Sequence, residues 1–212
     1  MTSPSPYQEG RTGRIRPYSA ADLRALYTIC LRTGDAGRDA THLHDDPMLR
    51  GHVYAAPYAV LEPELCFLAA DEHDIGGYIV GALDTASFDA RAESEWWPPL
   101  RDRYAEPDQA RRSGWSADEW MAYLIHHPVR GDAAIIDDYP SHLHINLLPR
   151  FQGWGLGRRL MDGLLATLEA GGSRGVHLGV TATNENAIGF YEHMGFKRLS
   201  TNPPHLVYAY EL

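Results

Sequence analysis

Eight consecutive residues, Gln152-Gly153-Trp154-Gly155-Leu156-Gly157-Arg158-Arg159, lie between a strand-like run (His142 to Leu148) and a helix-like run (Leu160 to Ala170). A helix N-terminus presents up to four unpaired N–H groups and about half a positive charge, and glycine lets an anion reach them with no Cβ in the way. The segment therefore reads as a phosphate cradle, and its spacing narrows the kind. No Lys-Ser or Lys-Thr follows the glycines, which excludes the nucleotide-hydrolase loop G-x-x-x-x-G-K-[ST]. The dinucleotide fingerprint needs a third glycine where Arg158 stands, a βαβ unit and an acidic ribose partner, and it fits poorly. The pattern Q/R-x-x-G-x-G/A is met at every defined position by Gln152, Gly155 and Gly157.

A second motif runs from Asn184 to Phe196, Asn-Glu-Asn-Ala-Ile-Gly-Phe-Tyr-Glu-His-Met-Gly-Phe. Asn184 suits a helix N-cap, and Gly195 suits a helix terminator before a strand starting at Phe196. Asn184 and Tyr191 are two helical turns apart and can face one cleft. With both motifs, the chain resembles the GCN5-related N-acetyltransferase (GNAT) family, whose glycine loop holds the pyrophosphate of acetyl-coenzyme A and whose final helix carries N-x-x-A-I-x-x-Y-x-x-x-G-F.

The resemblance implies acetyl-coenzyme A as co-substrate, bound by Gln152, Gly153, Trp154, Gly155, Leu156, Gly157, Arg158, Arg159, Asn184 and Tyr191, and direct attack by an amine-bearing acceptor. It implies a strand splayed from its neighbour before the loop, leaving the main chain of Leu147 and Leu148 free for the pantetheine arm and the acetyl oxygen. Tyr191 matches the position that protonates the departing thiolate; a phenol of pKa about 10 carries its proton at pH 7. The alternative is a coenzyme A-binding pseudo-acetyltransferase acting as a sensor or interaction module.

The base is the open question. An amine of pKa about 10.4 is neutral in only about one molecule in 2,500 at pH 7, so some group must take its proton. His142, His144 and Asn146 alternate onto one strand face, opposite Leu143, Ile145 and Leu147. Asn146 stands where an acid would serve, and an amide cannot accept a proton. His144, with an ordinary pKa near 6.5, is the candidate base, with Asp137 or Asp138 as substitutes. His42 with His44, and His142 with His144, are pairs without a surrounding ligand set, so no metal is expected.

Patterning supplies the elements that must hold these groups. Arg14 to Tyr18 reads as an edge strand; Ser19 caps a helix through Leu31; Thr41 to Ala55 reads as a second helix. Residues 65–70 and 78–83 read as antiparallel strands, Val176 to Val180 and Leu206 to Tyr210 as later ones. The expected fold is α/β: a mixed, mostly antiparallel sheet of six to seven strands, splayed near strand 4 and flanked by helices. One domain over 14–212 is expected after a disordered tail, 1–13, with a helical insertion at 85–140 that includes a helix from Ser116 to His126 and walls the acceptor side. Further stretches, among them Gly76-Gly77-Tyr78, Trp96-Trp97-Pro98 and Tyr139-Pro140-Ser141, are similar to the acetyltransferase-like C-terminal domain of O-GlcNAcases and its free-standing bacterial relatives.

The net charge of −9 argues against a nucleic-acid partner and suits an amine acceptor. No apolar run approaches a membrane span of about 18 residues. Cys30 and Cys66 have no C-x-x-C spacing, which points to a reduced, cytoplasmic protein. A homodimer is left open.

Overall fold

The computed structural model describes residues 13–200 and 205–212. Twelve residues of the expected tail lie outside them. The strands are β1 (Arg14–Pro17), β2 (Cys66–Ala70), β3 (Ile75–Ala82), β4 (Ser141–Leu147), β5 (Gly175–Thr181), β6 (Lys197–Ser200) and β7 (His205–Glu211). They form one sheet in the order β1-β2-β3-β4-β5-β7-β6, antiparallel except where β4 meets β5. The helices are α1 (Leu23–Arg32), α2 (Leu49–Tyr54), α3 (Ala56–Leu61), α4 (Thr85–Arg91), α5 (Trp97–Arg103), α6 (Ala117–His126), α7 (Ala133–Asp138), α8 (Leu156–Ala170) and α9 (Glu185–His193). This is the expected mixed, mostly antiparallel α/β sheet.

Alternation along β3 and β4 divides the core in two. Tyr78 and Val80 face a cluster with Leu26, Ile29 and Cys30 of α1, Leu49 of α2 and Tyr58 of α3. Ile79 and Leu143 face the other side, against Leu160, Leu164 and Leu168 of α8. Those α8 positions recur at helical spacing and are fully buried, each worth about 1.5–3 kcal/mol. Gly76 is dictated by close approach: a Cβ there would lie 1.9 Å from the Phe151 ring.

The helix expected over 41–55 is not continuous. A short turn at Thr41–Leu43 is followed by α2 and α3, which break at Ala55 (φ −139°). Pro47 disfavours helical backbone at Asp46, and Pro57, having no N–H, suits only the first turn of a new helix. The amides of Asp45 and Asp46 instead donate to the Asp118 carboxylate at 2.9 and 3.0 Å, fastening this segment to the start of α6.

Candidate active site

β4 and β5 touch only at their beginnings, with Ser141 opposite Val176 and His142 opposite His177, and then diverge. On its other edge β4 stays paired with β3 to Leu147. Leu148 N–H donates to Gly76 O at 2.8 Å, and antiparallel alternation therefore turns the main-chain groups of Ile145 and Leu147 toward the gap. The expectation for Leu148 is thereby corrected: its N–H is committed to Gly76 and its carbonyl accepts from Phe151 N–H at 2.8 Å. Ile145 takes its place beside Leu147. Sequence reasoning missed Ile145 because ladder parity depends on the partner strand.

The glycine loop closes the wide end of the gap. Gly153 (φ +80°) and Gly155 (φ +70°) adopt left-handed backbone, and Gly155 is the N-cap of α8. The first bond within the helix is Arg159 N–H to Gly155 O at 3.1 Å, so the amides of Leu156, Gly157 and Arg158 belong to the free first turn. A Cβ on Gly153 or Gly155 would meet nothing within 4 Å: these positions border open space. The Gln152 side chain donates to Leu147 O at 3.0 Å and pins the loop to the end of β4.

The gap is a cavity of about 810 Å³. It is lined by Ile145, Asn146, Leu147, Gln152, Gly153, Gly155, Gly157 and Arg158 on the loop side and by Asn184, Phe190, Tyr191 and His193 of the second motif. Asn184 caps α9, accepting from Ala187 N–H at 3.2 Å. Tyr191 is 6% exposed, and burial pushes its phenol well above its ordinary pKa, so it keeps its proton. Four predicted binding residues stand apart from the lining. Trp154 stacks on Phe151 at 5.4 Å, Leu156 is buried in the core, Arg159 donates to Gly13 O at 2.9 Å, and Leu148 is tied up as described.

The matching family for this chain is "Acetyltransferase (GNAT) family", over residues 38–196. The chain belongs to the GNAT acetyltransferase family. As a GNAT protein it is an acyltransferase, with acetyl-coenzyme A the family's co-substrate. It is similar to protein O-GlcNAcase of Rattus norvegicus, 24% identical over 181 residues, which are 85% of this chain and 20% of that protein. The chain thus spans about a fifth of the length of that relative. The crystal structure of SsHAT is 38% identical with a TM-score of 0.88, covering 94% of this chain and 98% of that one. The yncA acetyltransferase of Salmonella typhimurium, solved with acetyl-CoA, shares the fold at 14% identity and TM-score 0.54, covering 94% of each chain.

In this GNAT protein a loop unremarked in the sequence roofs the cleft. Asp35 and Arg38 exchange main-chain bonds of 3.0 and 2.9 Å, making a two-residue hairpin whose tip, Ala36 (φ +48°) and Gly37 (φ +87°), turns left-handed. Gly37 faces the Asn184 side chain, which a Cβ would meet at 3.6 Å. The Asp-Ala-Gly-Arg turn was the available signal.

The expected base does not line the cavity. His144 lies against the Tyr54 and Tyr58 rings, at 5.7 and 5.3 Å, where burial and then the Arg50 charge push its pKa down to about 4. His142, also driven well below its ordinary value by burial, is held between Tyr58 OH and Thr85 Oγ1, both at 2.8 Å. Asn146 does line the cleft, and its amide donates to Thr33 Oγ1 at 2.6 Å. Asp137 and Asp138 are exposed at the end of α7, just before β4 begins and so at the far end of that strand from the glycine loop.

His42 is exposed, and His44 is buried against Asp118 at 2.6 Å. Among the described residues no three His, Cys, Asp or Glu side chains gather in a way that could hold a metal ion. No helix among them is long and apolar enough to cross a membrane. Both cysteines are free and buried, and burial raises both thiols.

Proposed function

We propose that the protein transfers the acetyl group of acetyl-coenzyme A to an amine by direct attack within this cleft. The observation that carries the reading is the convergence on one cavity of three things: the free first turn of α8, the outward main chain of Ile145 and Leu147, and the protonated phenol of Tyr191. The loop amides and Arg158 receive the pyrophosphate, and the β4 edge takes the pantetheine amides as an added strand would. A strand N–H aimed at the thioester oxygen contributes about 3 kcal/mol to the developing oxyanion. The amine nitrogen forms its bond to the carbonyl carbon, the C–S bond breaks, Tyr191 supplies a proton to the thiolate, and the proton shed by the acylated nitrogen passes to water, from which the Tyr191 phenol is restored. The 85–140 segment, carrying α4 to α7 and expected to wall the acceptor side, contributes no residue to the lining of this cavity, and Asp118 secures it to the 44–46 segment.

A second reading, a coenzyme A-binding module without transfer, is favoured by one observation: Asn146 cannot take a proton, and His144 is held neutral and away from the cavity.

Calorimetric titration with acetyl-coenzyme A, using NAD as control, tests the binding both readings require. A thiol-release assay over a panel of amines then separates them. Binding with turnover supports transfer, binding without turnover supports the module, and no binding by a folded protein removes both.

A further inference from the structure

Residues 33–39 build the side of the cleft left for an acceptor. α8 and α9, which carry the two motifs, pack on the sheet face of Ile79 and Leu143. Asn146 lies between Ile145 and Leu147, and its amide reaches the opposite face, to Thr33 just past the end of α1. Thr33, Ala36, Gly37, Arg38 and Asp39 line the cavity from there. Their loop is fixed by its own main chain: Gly37 N–H donates to Thr33 O and Ala40 N–H to Leu31 O, both at 3.1 Å, besides the two bonds between Asp35 and Arg38.

Asp39 is the one acid among the described residues that line the cavity. The Thr41 hydroxyl and the Thr41 N–H, the latter at 2.8 Å, donate to its carboxylate and hold its pKa below the ordinary value, so it is ionised at neutral pH. Arg38 beside it is committed elsewhere, giving Nε and Nη2 to Asp35 at 3.2 and 2.9 Å. No ion pair within 4.0 Å forms at Asp39 among the described residues. Such a carboxylate is unsuited to the reacting amine itself, because it would stabilise the ammonium, whose proton must leave before attack. It suits a part of the acceptor that stays charged. The reacting amine meets an uncharged wall instead, the Asn146 amide bonded to the Thr33 hydroxyl.

We propose that Asp39 receives a second group of the acceptor, an ammonium or guanidinium that remains cationic, and thereby selects small dicationic amines. The proposal rests on the acetyl-transfer reading above. With coenzyme A bound, a cavity of about 810 Å³ leaves room for a small acceptor only. The second cation also assists the chemistry: on a short chain, like-charge repulsion lowers the pKa of the reacting ammonium and raises its neutral fraction. The group at Asp39 keeps its protons throughout. The C–N bond forms, the C–S bond breaks and the proton shed by the acylated nitrogen leaves as described above.

The test is calorimetric, on the full chain loaded with coenzyme A. The straight-chain α,ω-diamines of three, four and five carbons are each titrated against the n-alkylamine of the same length. At least one diamine is expected to bind about fivefold or more tightly than its monoamine. Asp39→Asn keeps an oxygen for the Thr41 N–H and so preserves the turn. It should abolish the difference while leaving monoamine and acetyl-coenzyme A affinities within twofold. Equal binding of diamine and monoamine at all three lengths, or no binding of either, overturns the proposal, as does a preference that survives Asp39→Asn. Turnover of monoamines without any diamine preference leaves acetyl transfer standing and removes the role of Asp39. Asp39-dependent diamine binding without turnover supports the subsite and removes transfer.

Discussion

The Thr33 hydroxyl links α1 to β4 at the cleft wall: it donates to Ile29 O at 2.7 Å and accepts from the Asn146 amide at 2.6 Å. This small network puts an amide where amine chemistry would use an acid. Asn146→Asp should raise the rate with amine acceptors at pH 7 at least tenfold, since a positioned base contributes about 10²–10⁴. It should cost about 1 kcal/mol in urea unfolding, because Asp has no N–H to give Thr33. An unchanged rate would sink the idea that the missing acid limits transfer.

Tyr191→Phe removes the proton donor and keeps the ring that packs against Phe196 and Tyr208. Turnover should fall about a hundredfold with acetyl-coenzyme A affinity unchanged. The raised pKa also fixes the pH behaviour: the phenol stays protonated above its ordinary value of about 10, so Tyr191 should impose no alkaline fall below that pH. If the Phe variant kept its rate, Tyr191 would be a core aromatic only.

Gly155→Ala should weaken acetyl-coenzyme A binding about tenfold and cost about 1–2 kcal/mol, because its φ of +70° is strained for any Cβ and its open side is where an anion approaches. Gly163, inside α8, where an added Cβ would meet nothing within 4 Å, is the control. Gly163→Ala should stabilise by about 0.5–1 kcal/mol without changing affinity. Titration and thermal melts of both variants separate a cradle from a mere turn.

The Asp118 carboxylate accepts from buried His44 and from two consecutive amides, those of Asp45 and Asp46. Asp118→Ala should destabilise by about 3 kcal/mol, since all three donors lose their acceptor at once. A change under about 1 kcal/mol in urea midpoints converted to free energy would show that water replaces it at no cost.

Acid should destabilise the protein through its histidines. Burial, as the leading cause, lowers His142, His144 and His177, His144 to about 4, while the unfolded value is about 6.5. The unfolded chain then binds more protons as pH falls, so this contribution is complete above about pH 6.5 and drains away toward pH 4, by up to about 1.4 kcal/mol per pH unit for each histidine. His144→Gln should give a shallower decline in urea stability between pH 7 and pH 5. An identical slope would show that His144 is not held neutral.

The glycine loop and the helix after it were legible because the signals are local. Left-handed φ at Gly153 and Gly155 needs glycine, and Leu160, Leu164 and Leu168 fix one face of α8 by their spacing. The same holds for Asn184 capping α9 and for the alternation that puts His144 and Asn146 on one face of β4. The broken helix at Ala55 was readable in principle from Pro47 and Pro57, but apolar periodicity outweighed them.

The amino-acid sequence by itself determined the element types, the α/β sheet and the position of the anion-binding turn, because these depend on residues within a turn or two of one another. Only the tertiary structure decided which β4 main-chain groups face the gap, since that depends on the β3 register and on β5 leaving after two paired positions. It also decided that the 35–38 hairpin meets Asn184 and that Arg50 lies against Gly34 beside His144. Those juxtapositions join residues far apart in the chain, and no local propensity encodes a distance between them.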